Sequence, residues 1–187
     1  MNRMVVSMVS QQLTKEDGIA AVYGGCILGG GGGGWIHDGL KRVEAAFNIT
    51  KTINLISIDD LQDTDYVACV SLVGAPSAKD RYVDETHYIS TVKRLQQEFP
   101  HPIKALITNE NGAGGSINGW VQSAELDIPI LDAPCNGRAH PTGTMGSLNL
   151  TEKDDYISIQ SFSGGRGYHY IDGIIKGELH HTSQAIR

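Results

Sequence analysis

Ile103-Lys104-Ala105-Leu106-Ile107-Thr108 runs directly into Asn109-Glu110-Asn111-Gly112-Ala113-Gly114-Gly115-Ser116. A short apolar run closed by a polar, glycine-rich turn reads as a buried strand. The turn opens an apolar helical stretch over 117–124. Outward from this unit the same alternation repeats. Downstream, Ile128 to Leu131 is a further strand and runs into Asp132-Ala133-Pro134-Cys135-Asn136-Gly137-Arg138-Ala139-His140-Pro141. Upstream, Glu85 to Phe99 is an amphipathic helix with Ile89, Val92 and Leu95 on one face, stopped by Pro100 and Pro102.

Ile53 to Ile58 and Tyr66 to Leu72 read as two more buried strands. Asp59, Asp60 and an acidic turn over 61–65 separate them. The second ends at Gly74-Ala75-Pro76, and 77–84 is a polar loop. Thr14-Lys15-Glu16-Asp17 has capping-box spacing and starts a helix through Ile19 to Tyr23. Ile36, Leu40, Val43 and Phe47 recur at helical spacing, with Lys41, Arg42 and Glu44 on other faces. Strands alternating with helices predict an α/β fold, a mostly parallel sheet flanked by helices. After residue 141 the pattern changes. Tyr156 to Phe162 alternates as a half-exposed strand, Gly164-Gly165-Arg166-Gly167 is a turn, 168–175 is a second strand, and 177–187 is a terminal helix. The expected organisation is a single domain, with an α/β core over 14–141 and a short β-rich C-terminal section with its terminal helix over 142–187.

The chain has 187 residues, enough to bury a core without staples, and a net charge of −6. The acidic balance and the lack of a basic patch argue against a nucleic-acid partner. No apolar run approaches the length that spans a bilayer, and Met1 to Gln12 lacks the features of a signal peptide. Cys26, Cys69 and Cys135 are widely spaced and odd in number. That favours free thiols and a cytoplasmic location. Strong zinc signatures are absent, which leaves a divalent metal as an open possibility and no ligand set to assign.

Gly29 to Gly34 is an unbroken glycine run between two apolar helical stretches. Such a run serves where backbone must approach something closely, or where several residues take positive φ. Its N–H groups, with the following helix N-terminus, suit an anionic or strongly polar ligand group. The alternatives are a flexible linker and a tight helix–helix connection. In open parallel sheets ligands bind beyond the carboxyl ends of the strands. The turns at 74–76, 109–116 and 132–141 gather there, which predicts a small-molecule site. Gly30, Gly31, Gly32, Gly33, His37, Asn111, Gly114, Asn118 and His140 are its candidate ligand-binding residues.

The candidate catalytic residues are Glu110, Asp132, Cys135 and Arg138. Glu110 and Asp132 each follow a buried strand, a position suited to general acid–base work; Glu110 alternatively caps the next helix. Cys135 is either a nucleophile or metal ligand, with Arg138 and His140 favouring its thiolate, or a small buried thiol. Arg138 either holds a carboxylate or amide oxygen or pairs with Asp132. Asp59 and Asp60 read as a strand-end cap, and His180 and His181 as a surface face.

Gly24 to Leu40, Gly74-Ala75-Pro76, Asn109 to Gly115 and Leu131-Asp132-Ala133 through Gly137-Arg138-Ala139-His140-Pro141 recur in that order. Together they resemble the N-terminal domain of the S-methyl thiohydantoin desulfurase family, which is found near hydantoinase-type proteins. Gly173-Ile174-Ile175-Lys176-Gly177-Glu178-Leu179 is similar to the stretch that ends this domain. The resemblance implies a cytoplasmic hydrolase or desulfurase, or a subunit of one. Its substrate would be a cyclic amide or thioamide such as a hydantoin or thiohydantoin. Glu110 or Asp132 would activate water, and Arg138 and the glycine-run N–H groups would stabilise developing negative charge. Family members usually continue into a second domain. The resemblance therefore also implies a homo-oligomer or a second subunit supplying that half. Asn136, His140 and Thr142 depart from the family pattern. The alternative is a non-catalytic small-molecule-binding or assembly protein of the same fold.

Overall fold

The computed structural model describes residues 10–74, 82–140 and 143–187. The anticipated turn at Ala75-Pro76, most of the 77–84 loop, Pro141 and Thr142 lie outside them. The main sheet has five strands in the order β1-β2-β5-β4-β3. These are β1 (Gln11–Leu13), β2 (Ile53–Ile56), β3 (Tyr66–Val70), β4 (Ile103–Thr108) and β5 (Ile130–Leu131). β2, β5, β4 and β3 are parallel, and β1 adds an antiparallel edge by pairing Leu13 with Ile53. The alternating α/β pattern is borne out. The edge strand β1 is new. Three residues are too few to display an alternation, and only the pairing with β2 defines it.

The helices are α1 (Lys15–Leu28), α2 (Ile36–Ile49), α3 (Glu85–Glu98), α4 (Trp120–Leu126) and α5 (Leu179–Ile186). Thr14 caps α1 in a full capping box with Asp17, as its spacing requires. Asp84 does the same for α3. Its carboxylate accepts the Thr86 hydroxyl and meets the His87 imidazole and N–H, which together hold it well below the usual carboxylate range; it also accepts the Thr86 N–H. α4 starts later than the apolar run suggests. Gly115–Ile117 forms a 3-10 turn first, and Gly119, at φ 93°, re-aims the chain into the helix.

The two faces of the sheet are covered differently. Val22, Val43, Ala46, Val92, Trp120 and Val121 from α1 to α4 pack with Leu13, Ile53, Ala68, Leu106 and Ile130 into one buried cluster. On the other side, strand residues Ala105, Ile107 and Leu131 pack with Cys135 and, half-buried around them, Leu61, Ala133 and Met145. Strand-connecting segments close that face.

The C-terminal section is a hairpin of β6 (Ile157–Gly164) and β7 (Ile171–Glu178), longer at its end than the sequence pattern suggested. It docks on α3. The Ser161 hydroxyl donates to the Thr91 carbonyl at 2.7 Å, and Arg94 pairs with Asp172. α5 then packs on the hairpin, where Gln160 Nε2 donates to Thr182 Oγ1 at 2.8 Å. No described helix is long and apolar enough to cross a membrane.

The glycine run joins α1 to α2 and lies against the 109–116 turn, main chain on main chain. The Gly33 carbonyl accepts the N–H groups of Gly114 (2.8 Å) and Gly115 (2.9 Å). A methyl group at Gly112 would sit 2.4 Å from the Gly33 Cα, and one at Gly39 would sit 2.3 Å from the Ala113 carbonyl oxygen. Gly24, on the exposed side of α1, has nothing within 4 Å of such a methyl. Gly112→Ala is therefore expected to cost at least about 2 kcal/mol through backbone overlap. Gly24→Ala is expected to gain about 0.5–1 kcal/mol from helix entropy alone. Denaturant melts of the two variants test this contact, and equal stability of both would refute it.

Candidate functional site

Three segments meet at the carboxyl edge of the parallel strands: the glycine run, 109–116 after β4, and 132–140 after β5. A methyl on Gly32 would reach within 2.6 Å of the Ala139 side chain, so the first and third segments touch. Polar side chains tie the second and third together, and backbone bonds from Gly114 and Gly115 to the Gly33 carbonyl hold the first. Asn111 Nδ2 donates to the Gly137 carbonyl at 3.2 Å, and the Ser116 hydroxyl donates to Asn111 Oδ1 at 3.1 Å. The His140 N–H donates to Glu110 Oε2 at 2.5 Å. Asn136 Nδ2 donates to the Asn109 carbonyl at 2.9 Å, and Asn118 Nδ2 donates to Asn109 Oδ1 at 3.3 Å. Buried amides are satisfied here by bridging strand ends.

The structure sorts the sequence candidates into two groups. Glu110, Asn111, Asn118 and His140 are half-buried or buried, and all hold the loops together. Gly114 is buried and takes part through both its N–H and its carbonyl. Asp132 and Arg138 are exposed at the end of β5 and beyond it. Among the described residues they form no ion pair with each other, so the loop is not braced in that way. His37 is exposed and lies 3.4 Å from Asp38. The N–H groups of Gly30 and Gly32 are satisfied within the turn, by Ile27 and Gly29. Those of Gly31, Gly33 and Gly34 have no protein partner among the described residues. All three glycines are at positive φ.

Cys135 is only 1% exposed and turns into the second apolar cluster, under the rim. Its sulfur lies 3.7 Å from that of Cys69 at the end of β3. The hydrogen bond between the two sulfurs, rather than Arg138 or His140, lowers the Cys135 thiol. The same bond, with burial, pushes the Cys69 thiol up. Tyr156, whose phenol is raised by burial and then by both cysteines, lies beside the pair.

Arg42 is the residue that pattern reading missed. Its Nη1 donates to the Gly114 carbonyl at 3.1 Å and to Asn118 Oδ1 at 2.9 Å. On sequence it belonged to the polar side of α2, and nothing local marks a bond to a residue 72 positions away. Among the described residues, no three His, Cys, Asp or Glu side chains gather into a metal-binding group. A cleft of about 250 Å³ lies at the opposite, amino-terminal edge, lined by Asp65, Tyr66, His101, Lys104 and Asp127. Among the described residues no glycine-rich turn lines it, and its walls are the starts of strands.

The comparisons agree with this architecture. The family described as S-Me-THD-like, N-terminal domain, matches residues 18–170. A crystal structure of a protein from Chromobacterium violaceum, a structural genomics target, is similar with a TM-score of 0.63 and 19% identity. The alignment covers 94% of this chain and 49% of that one, so this chain spans about half the length of that relative. No curated protein matches the sequence.

Arg42 ties α2 to the turn after β4, and bonds from a charged donor are worth more than neutral ones. Arg42→Ala is expected to lose about 2 kcal/mol and to speed amide exchange across 109–118. Arg42→Lys restores at most one of the two bonds, since an ammonium lacks the planar fork. Hydrogen exchange by mass spectrometry reads this directly. Unchanged exchange in Arg42→Ala would remove Arg42 from the site.

Proposed function

The chain belongs to the S-Me-THD-like family, over the part described as its N-terminal domain, and we propose that it acts in thiohydantoin metabolism by binding a cyclic amide or thioamide at the carboxyl rim of the sheet. The observation that carries this is the meeting of three braced loops at that edge, with free N–H groups and two uncommitted charged side chains among them. Gly31, Gly33 and Gly34 offer the N–H donors. Arg138 offers a guanidinium suited to an amide or carboxylate oxygen.

The reaction we propose is hydrolytic desulfuration. Asp132 takes a proton from water as the oxygen attacks the carbon bearing sulfur. The negative charge that develops is met by the N–H donors and Arg138, and the sulfur leaves as a thiol with that proton. Glu110 is a positioning residue in this scheme, because its carboxylate holds the His140 N–H. A cytoplasmic location, suggested by the free cysteines, belongs to the same reading.

The length relation favours a second reading. The C. violaceum relative carries as much chain again, and in that reading this chain binds the ligand while a second copy or a separate subunit completes the chemistry.

Incubation with thiohydantoin and its S-methyl derivative, following hydantoin and released thiol, tests both. Turnover that falls by about 10²–10⁴ in Asp132→Asn supports the first reading. Calorimetric binding without turnover, weakened by Arg138→Ala, supports the second. Absence of both binding and turnover overturns the proposal.

A further inference from the structure

The end of β3 and the chain beyond β5 bring two thiols together that stand 66 residues apart in sequence. The sulfurs of Cys69 and Cys135 are in contact at 3.7 Å. Neither thiol has a part in the chemistry proposed above. Cys135 is buried and Cys69 is half-buried. Cys26, on α1, has no such neighbour among the described residues.

We propose that Cys69 and Cys135 are a peroxide-responsive dithiol that closes to a reversible disulfide and fixes the 132–140 loop to the end of β3. The Cys135 sulfur attacks one peroxide oxygen, the O–O bond breaks, and water leaves, giving a sulfenic acid at Cys135. The Cys69 sulfur then attacks the Cys135 sulfur. The S–O bond breaks, the Cys69 proton goes to the departing oxygen, and a second water leaves. Two thiols are oxidised by two electrons and one hydrogen peroxide is reduced to two waters. The polarity of the pair suits these roles. The contact between the sulfurs lowers the Cys135 thiol and, with burial, raises the Cys69 thiol, which suits Cys135 as the first attacker and Cys69 as the resolving thiol.

Closure affects the site because of what Cys135 is attached to. A disulfide needs the sulfurs at about 2.05 Å, so the two side chains must close on each other. The Cys135 N–H donates to the Thr108 carbonyl at 3.0 Å, and the next residue, Asn136, donates to the Asn109 carbonyl. A bridge at Cys135 therefore ties the first residues of two rim loops to β3. Such transient bridges are the form disulfides take in reducing compartments.

The test is titration of the native full chain with hydrogen peroxide, read by intact mass and by peptide mapping after alkylation. The expected result is loss of two hydrogens, joint protection of Cys69 and Cys135 from alkylation, and a tryptic peptide pair linking them. Cys26 stays alkylatable, dithiothreitol reverses the change, and amide exchange across 132–140 slows in the oxidised form. Cys69→Ser should halt at a sulfenic acid on Cys135 that dimedone traps, and Cys26→Ser should bridge as the native chain does. The native-chain readout stands even if a cysteine variant misfolds. Over-oxidation of Cys135 with no linked peptide, or oxidation of Cys26 before the pair, would overturn the proposal.

Discussion

Two stretches of main chain touch without side chains between them, and the rest of the rim depends on that contact. Gly33 and Gly112 face each other so closely that a methyl on either would meet the other's backbone. The Gly33 carbonyl meanwhile takes the N–H groups of Gly114 and Gly115. Backbone groups buried in this way need partners, and here each segment supplies them to the other. Glycine is required on both sides for a steric reason. The entropy lost in ordering it is the cost of bringing the α1–α2 connection onto the end of β4.

From that contact follows the division of the sheet into two faces. With α1 and α2 docked beside α4, the helices gather over one face and bury its apolar residues. The opposite face is left to the segments that connect strands and to the chain beyond β5, with Cys69, Cys135 and Met145 among the residues that fill it. Polar side chains hold these segments where secondary structure does not. Asn136 on Asn109 and Glu110 on His140 bind the first residues after β4 to the segment beyond β5, and Thr108 Oγ1 on the Gly115 carbonyl ties the end of β4 to its own turn. Such bonds are individually modest, but each removes a buried unsatisfied group whose cost would be larger.

The parallel sheet was legible because β3 and β4 are continuous apolar runs with helices and turns between them. Helix starts at Thr14 and Asp84 are legible in part, since capping is a matter of local spacing: Thr14 stands at the head of a capping box in sequence, whereas Asp84 closes a polar stretch that reads as loop. β1 was not legible, because a three-residue strand is defined by its partner. The glycine run was legible as a close approach and not in its object, since nothing in six glycines points to a turn some eighty residues on. The run forms a tight helix–helix connection that also packs on the 109–116 turn, and its use by a ligand belongs to the proposal. Arg42 escaped for the same reason, and so did the pairing of Cys69 with Cys135. In each case the partner is set by strand order, which a single sequence does not display.

The candidate site residues separate by what they already do in the folded chain. Glu110, Asn111, Asn118 and Arg42 make bonds that hold loops, so replacing any of them moves the rim as well as removing a group. Asp132 and Arg138 are exposed, and neither is paired with the other. Their positions are nonetheless fixed, because the Asp132 N–H donates to the Ile56 carbonyl at 2.9 Å and the loop beyond is tied at Asn136 and Gly137. A charged group on an anchored backbone, with no partner among the described residues, gives a ligand the interaction that those residues leave unmade. That asymmetry is the physical ground for proposing chemistry at Asp132 and Arg138 and support from the residues around them.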